Sequence, residues 1–226
     1  MTLELRAVSY RYAGYRVPAL RDISLRVGDG EVVGLVGRNG AGKSTLCLVA
    51  SGLAPASIGG ELTGEVLVDG VALSGLRPHE LAEQVGIVFA NPPSQLSGVA
   101  GTVFEEVAIG SVNLGRSVPE TVAATRAALA AVSIEGLAER RPDQLSGGQT
   151  QLVAIASMLA MRPRTLVLDE PVAELDPDGR RLVSAALRSL ARAGTPLLVA
   201  EHDPELLADL GARIVAIDAG RIAVPA

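Results

Sequence analysis

Gly37-Arg38-Asn39-Gly40-Ala41-Gly42-Lys43-Ser44-Thr45, directly after the apolar run Glu31–Val36, sets a glycine loop between a strand and a helix that begins near Lys43. Glycines in such a loop let backbone amides turn inward as an anion nest, and the helix adds its N-terminal dipole. The spacing Gly37-x-x-x-x-Gly42-Lys43-Ser44 is that of a phosphate loop. Lys43 is the only lysine in the chain; the rest of its 20 Lys and Arg residues are arginine. A phosphate loop needs a slim ammonium on a flexible stem, which a planar guanidinium does not supply. On this reading Lys43 neutralises β- and γ-phosphate oxygens and Ser44 gives its hydroxyl to Mg²⁺. A glycine turn with no ligand is the competing reading of the loop taken alone.

A second stretch weighs against that competitor. Thr165-Leu166-Val167-Leu168-Asp169-Glu170 is an apolar strand delivering two carboxylates at its C-terminal end, where ligands bind in open α/β sheets. Asp169 is the natural partner of Mg²⁺. Glu170 points elsewhere and is placed to polarise an attacking water.

The rest of the chain bounds the possibilities. Its 226 residues, 48 % hydrophobic and 20 % charged, fit a globular protein of one to two domains. A net charge of −5 argues against a dedicated nucleic-acid binder, which should be basic. Two histidines and no tryptophan leave little for a metal cluster or a base-stacking platform. The single cysteine, Cys47, excludes an internal disulfide and a cysteine-built zinc site, and reads as a small buried filler. No apolar run approaches the roughly 18 residues of a membrane helix. Met1–Arg6 lacks the features of a signal peptide, so a soluble, cytosolic protein is expected.

Periodicity predicts strands at Leu3–Tyr10, Leu20–Val27 and Val85–Phe89, and a hairpin at Glu65–Leu73 turning on Gly70. Helices follow at Val103–Ile109, Glu120–Val132 and Gly148–Met161. Unbroken apolar runs at Thr165–Leu168 and Pro196–Ala200 suit a parallel sheet covered on both faces. The helix Gly179–Ala193 separates them, and Ile214–Ile217 and Arg221–Val224 close the chain as a strand pair. The sum is an α/β core interrupted by an all-helical insert.

Leu145-Ser146-Gly147-Gly148-Gln149, just before a helix, resembles the signature of ATP-binding-cassette ATPases. The resemblance covers essentially the whole chain. It implies a RecA-like P-loop ATPase core with an N-terminal antiparallel β-subdomain and an inserted α-helical signature subdomain. It divides one nucleotide-binding domain, 1–226, into 1–90 (β-subdomain and phosphate-loop half), 91–161 (helical, with the signature) and 162–226 (the Asp169-Glu170 and switch half). ATP and Mg²⁺ are the implied ligands. Gly37, Asn39, Gly40, Ala41, Gly42, Lys43, Ser44 and Thr45 would hold nucleotide, with Ser44 and Asp169 on the metal. Lys43, Glu170 and His202 would be catalytic, His202 matching the switch histidine that touches the γ-phosphate. Tyr12 would stack on adenine, with Tyr10 the competing aromatic. His79 has no such context and reads as a solvated helix start. Ser146, Gly147, Gly148 and Gln149 would meet ATP held by a second cassette subunit or domain, and Asp176 would contact the dimer axis.

Val85-Gly86-Ile87-Val88-Phe89-Ala90-Asn91-Pro92-Pro93-Ser94-Gln95-Leu96 and Thr102–Gly110 look most like the ATPase subunits of energy-coupling-factor transporters, which import vitamins or transition-metal ions. That likeness implies an integral membrane partner contacted near 90–106, no nucleic acid, no direct cargo contact, and a place on the inner face of the cell membrane. A conventional importer or exporter ATPase, and more distantly a soluble non-transport cassette, are the alternatives. The sequence departs from the family at Ala90, where a glutamine normally reports on Mg²⁺ and water, with Asn91 or a shifted Gln95 as possible substitutes. Leu152 and Val172 also replace polar residues, and the C-terminal extension of many coupling-factor ATPases is missing, as in one cassette of a tandem protein or a subunit that dimerises only when partnered.

Overall fold

Strands and helices are interspersed along the chain, and each strand's burial shows which layer it serves. The computed structural model describes residues 1–223, so the expected end of the last strand at Val224 lies outside the described residues. In chain order come β1 (Leu3–Arg11), β2 (Leu20–Val27), β3 (Val32–Val36), α1 (Lys43–Ala50), α2 (Leu53–Ala56), β4 (Glu61–Val68) and β5 (Val71–Ala72). Then follow α3 (Pro78–Gln84), β6 (Val85–Val88), α4 (Val103–Asn113), α5 (Val118–Ala131) and α6 (Gly147–Ala160). The last third contains β7 (Thr165–Asp169), α7 (Pro177–Arg192), β8 (Leu197–Ala200), α8 (Pro204–Asp209), β9 (Arg213–Asp218) and β10 (Arg221–Ile222).

Among the described residues the strands form two sheets. An antiparallel sheet has the order β2-β1-β4-β5, and a second sheet the order β10-β9-β3-β8-β7-β6. In the second, β9, β3, β8, β7 and β6 are parallel, with β10 antiparallel at the edge. Along β8, Leu198 and Ala200 join one apolar core while Leu197 and Val199 join the other. β7 does the same, with Val167 on one side and Leu166 and Leu168 on the other. Both faces are covered, so these strands read as unbroken apolar runs. The first core fills the space between the two sheets around α1; the second lies against α4 to α8. β2 has one wet face, and from Ile23 onward its buried residues alternate with exposed Ser24 and Arg26.

Two features depart from expectation. β4 starts at Glu61, not Glu65: it pairs with β1 as Glu65 with Arg6 and Thr63 with Ser9, so Ala7 and Val8 of β1 bulge opposite Gly64, whose φ is +82° and where a Cβ would lie 2.4 Å from the Arg6 carbonyl oxygen. A glycine there reads as a break, and of Glu61–Glu65 only Leu62 is even half-buried, so the first half of β4 carries little apolar signal. α8 was not anticipated, although Asp203 caps it through the N–H groups of Glu205 and Leu206 at 3.0 and 3.2 Å.

Candidate nucleotide-hydrolysis site

The carboxyl ends of β3, β7 and β8 point to one cleft, as the parallel order places them. β3 runs into the phosphate loop, whose path depends on glycine. At Gly37 a Cβ would lie 2.3 Å from the Ile217 carbonyl oxygen of β9, so any side chain would push the loop off the sheet. Gly42, N-cap of α1, has φ +112°, which side-chain-bearing residues rarely adopt. A cavity of about 320 Å³ is lined by Ala19, Asn39, Gly40, Gly42, Ser44 and Thr45, with Lys43 and Glu170 at its wall.

Lys43 is only 4 % exposed. Its Nζ donates to the Gly37 carbonyl at 3.0 Å and lies 3.5 Å from the Arg38 carbonyl oxygen. It lies 3.0 Å from His202 Nε2 and 3.8 Å from Glu170 Oε1. His202 Nε2 is in turn 3.1 Å from Glu170 Oε1. One neutral imidazole nitrogen accepts from the ammonium or donates to the carboxylate, never both at once. These three side chains therefore form a polar cluster whose bonds must rearrange when an anion takes the ammonium. Glu170 adopts φ +52°, a left-handed conformation costing about 1–3 kcal/mol in a residue with a side chain. Its amide donates to the Ala200 carbonyl at 2.9 Å, which holds the strained turn against β8.

Asp169 accepts from the Ser44 hydroxyl at 3.1 Å. Burial raises its carboxyl pKa; the Ser44 hydrogen bond opposes that, and the charge of Glu170 adds to it. Cys47, on the same helix as Ser44, is fully buried, and burial pushes its thiol well above the ordinary range, as for an inert filler. Tyr12 lies over the loop, its hydroxyl 3.1 Å from Thr45 Oγ1 and its ring edge-on to Tyr10 at 4.9 Å. Tyr10 is 1 % exposed and donates to the Gly59 carbonyl, so it presents no face to a base. His79 is exposed at the start of α3.

Ser146, Gly147, Gly148 and Gln149 lie elsewhere and contribute nothing to the lining of this cavity. Ser146 caps α6: its Oγ accepts from the Gln149 amide at 3.4 Å, and Gln149 Oε1 accepts from the Ser146 amide at 3.1 Å. Asp176 caps α7 by accepting from the Gly179 amide at 2.7 Å. Gly148 and Gly179 then touch backbone to backbone, and a Cβ on Gly148 would lie 2.4 Å from Gly179 Cα. The Ser146 turn and the Asp176 turn are thus packed directly against each other. Leu152 and Val172 are buried in the second core, which explains their apolar character.

Of the two side chains considered as substitutes at Ala90, Gln95 has both ends engaged and Asn91 has its carbonyl oxygen engaged. Gln95 Oε1 accepts from the Phe89 amide at 2.7 Å, and its Nε2 donates to the Ile87 carbonyl at 3.1 Å. Asn91 Oδ1 accepts from the Ser94 amide at 3.3 Å. Sequence reasoning overlooked Gln151, fully buried on α6, whose Nε2 donates to the Phe89 carbonyl at 3.2 Å. It also overlooked Glu201, buried beside His202. Burial of a polar side chain depends on the tertiary neighbours, so no local pattern announces either.

A family model described as ABC transporter matches residues 20–173. A putative ABC transporter ATP-binding protein of Pyrococcus abyssi is 42 % identical, covering 97 % of this chain and 78 % of its own. The energy-coupling factor transporter ATP-binding protein EcfA of Methanothermobacter thermautotrophicus is 39 % identical over 97 % of this chain and 69 % of its own. The cobalt import ATP-binding protein CbiO of Rhodobacter capsulatus is 43 % identical over 97 % and 76 %. Among solved structures, CbiO1 of Clostridium perfringens, part of the ABC transporter complex CbiONQ, superposes with a TM-score of 0.84 at 31 % identity, covering 98 % of this chain and 86 % of its own. The cassette MJ0796, as a dimer in a post-hydrolysis state with ADP and Pi, gives 0.80 at 28 % identity over 98 % and 97 %. The chain belongs to the ABC transporter family, as one of its ATP-binding, ATP-hydrolysing proteins.

Proposed function

We propose that this chain is the energy-coupling ATPase subunit of an energy-coupling-factor transporter that imports a vitamin or a transition-metal ion. The observation that carries the reading is the match to EcfA and CbiO along 97 % of the chain, joined to the intact cluster of Lys43, Asp169, Glu170 and His202. The loop amides and Lys43 bind the phosphates of ATP, and Tyr12 lies where adenine would stack. Glu170 orients and polarises water toward the γ-phosphate, and His202 is within reach of both. Ser44 and Asp169 offer two hard oxygens to Mg²⁺, and Asp169, desolvated beside a second carboxylate, suits a divalent cation. Bound there, Mg²⁺ would neutralise charge on the phosphates of ATP. Among the described residues no group of three or more His, Cys, Asp or Glu could hold a metal alone, so phosphate and water complete such a site.

Ser146 to Gln149 and Asp176 face a second cassette, whose ATP they complete. No helix among the described residues is long and apolar enough to cross a membrane, so the transport path belongs to a partner, with this chain on the inner face of the membrane. A cavity of about 520 Å³ between the segment after Ala90 and the helical layer, lined by Pro93, Leu96, Ala100, Glu106, Arg141 and Leu145, is where that partner would seat. Affinity purification from membranes tests the reading. An integral scaffold with a small substrate-binding membrane protein is the expected yield; a periplasmic binding protein with a conventional permease would overturn it.

A further inference from the structure

Glu201 follows the last residue of β8 and directly precedes His202. Only 3 % of it is exposed. Its Oε1 accepts from the backbone N–H of His202 at 2.7 Å and of Asp203 at 3.3 Å. Its Oε2 is buried with no hydrogen-bond partner among the described residues. Burial pushes the carboxyl pKa up; the two amides oppose that, and the charges of Glu170 and Asp203 add to it. A half-satisfied buried carboxylate is an expensive way to fill space, so it calls for a reason.

The geometry supplies one. The Glu201 amide donates to the Leu35 carbonyl of β3 at 3.1 Å, which anchors the residue to the strand leading into the phosphate loop. On the other side Asp203 caps α8, and Arg180 of α7 lies 3.6 Å from it. His202 therefore stands between two anchored neighbours, and the contact holding its own amide is the Glu201 carboxylate. From that backbone position the imidazole reaches Lys43 and Glu170 at 3.0 and 3.1 Å.

We propose that Glu201 is a positioning residue for ATP hydrolysis: through the His202 backbone N–H, its carboxylate fixes where the imidazole meets Lys43 and Glu170. The idea rests on the role given to His202 above. Glu201 itself touches no substrate. Misplacing a catalytic side chain by about 1 Å lowers rate up to about a hundredfold while leaving most ground-state binding intact.

The test compares steady-state ATP turnover and the KM for ATP in Glu201→Gln, Glu201→Met, His202→Ala and the Glu201→Met/His202→Ala pair, with folding checked by circular dichroism. Glu201→Gln keeps an oxygen that accepts from both amides and retains turnover within about threefold of the parent. Glu201→Met fills the volume without an acceptor and loses about tenfold or more in kcat, with KM within about twofold. On the His202→Ala background the same substitution changes kcat by less than about twofold, because the group it positions is gone. Parental kcat in Glu201→Met, a fall in Glu201→Gln as large as in Glu201→Met, or losses that multiply in the pair would overturn the proposal. Parental turnover in His202→Ala would instead remove His202 from the reaction, a separate failure.

Discussion

Ala90 lies two residues past the end of β6, where the family's glutamine would reach toward metal and water. Its methyl group does neither, and the surrounding amides are committed elsewhere. Gln95 uses both ends of its side chain on Phe89 and Ile87, and Gln151 holds the Phe89 carbonyl. The backbone that presents residue 90 is thus firmly set while the side chain that would sense the site is absent. Ala90→Gln is expected to raise steady-state ATP turnover about tenfold, since the added amide meets a prepared backbone and a polar group placed at a reacting water contributes at least that much. Unchanged turnover and unchanged coupling would mean that this cassette does not use the position. At the same scale, burial separates the two aromatics that the sequence leaves as alternatives. Tyr10 and Tyr12 lie on one side of the same strand end, and only the structure shows that Tyr10 is sealed beneath Gly59.

The N-terminal turns of α6 and α7 meet at Gly148 and Gly179. A Cβ on Gly179 would come within 3.0 Å of Asp176 Oδ1 and 3.1 Å of Gly148 Cα, a contact that neighbouring backbone relieves only by moving. Gly179→Ala is expected to cost about 1–3 kcal/mol in denaturant unfolding, the usual range for overpacking. ATP affinity of the phosphate loop should remain near parental, because neither turn lines that cavity. Turnover should fall, because Ser146 and Asp176 shift together. ATP affinity that falls in step with turnover would contradict this separation. Elements of this kind were legible where burial was simple. The doubly covered runs of β7 and β8 and the alternation in β2 announced their strands. The first half of β4 did not, since Gly64 reads as a break and its residues are mostly exposed, and the Gly148–Gly179 contact joins turns 31 positions apart that no local pattern links.

Across the molecule, sequence order and spatial order part company. Lys43, Asp169, Glu170 and His202 come from three separate stretches, and the parallel sheet gathers them because β3, β8 and β7 are neighbours. Their motifs were readable along the chain, since phosphate chemistry dictates glycine, lysine and strand-end carboxylates. The buried polar groups around them, Glu201 beside His202 and Gln151 on the Phe89 carbonyl, were not, because only tertiary packing shows which polar groups are buried. The turn at Ser146–Gln149 does not line the cavity that Lys43 and Glu170 share, and on the proposed reading it serves the site of a second cassette. On that reading a working site needs two cassettes. The most direct measurement is the mass in solution of Glu170→Gln with and without ATP and Mg²⁺, by light scattering, alongside its turnover. A dimer that appears only with ATP, with turnover reduced about a hundredfold or more, is the predicted result. A chain that stays monomeric while bound to ATP, or that hydrolyses ATP at the parental rate, would contradict a composite site with Glu170 at its centre.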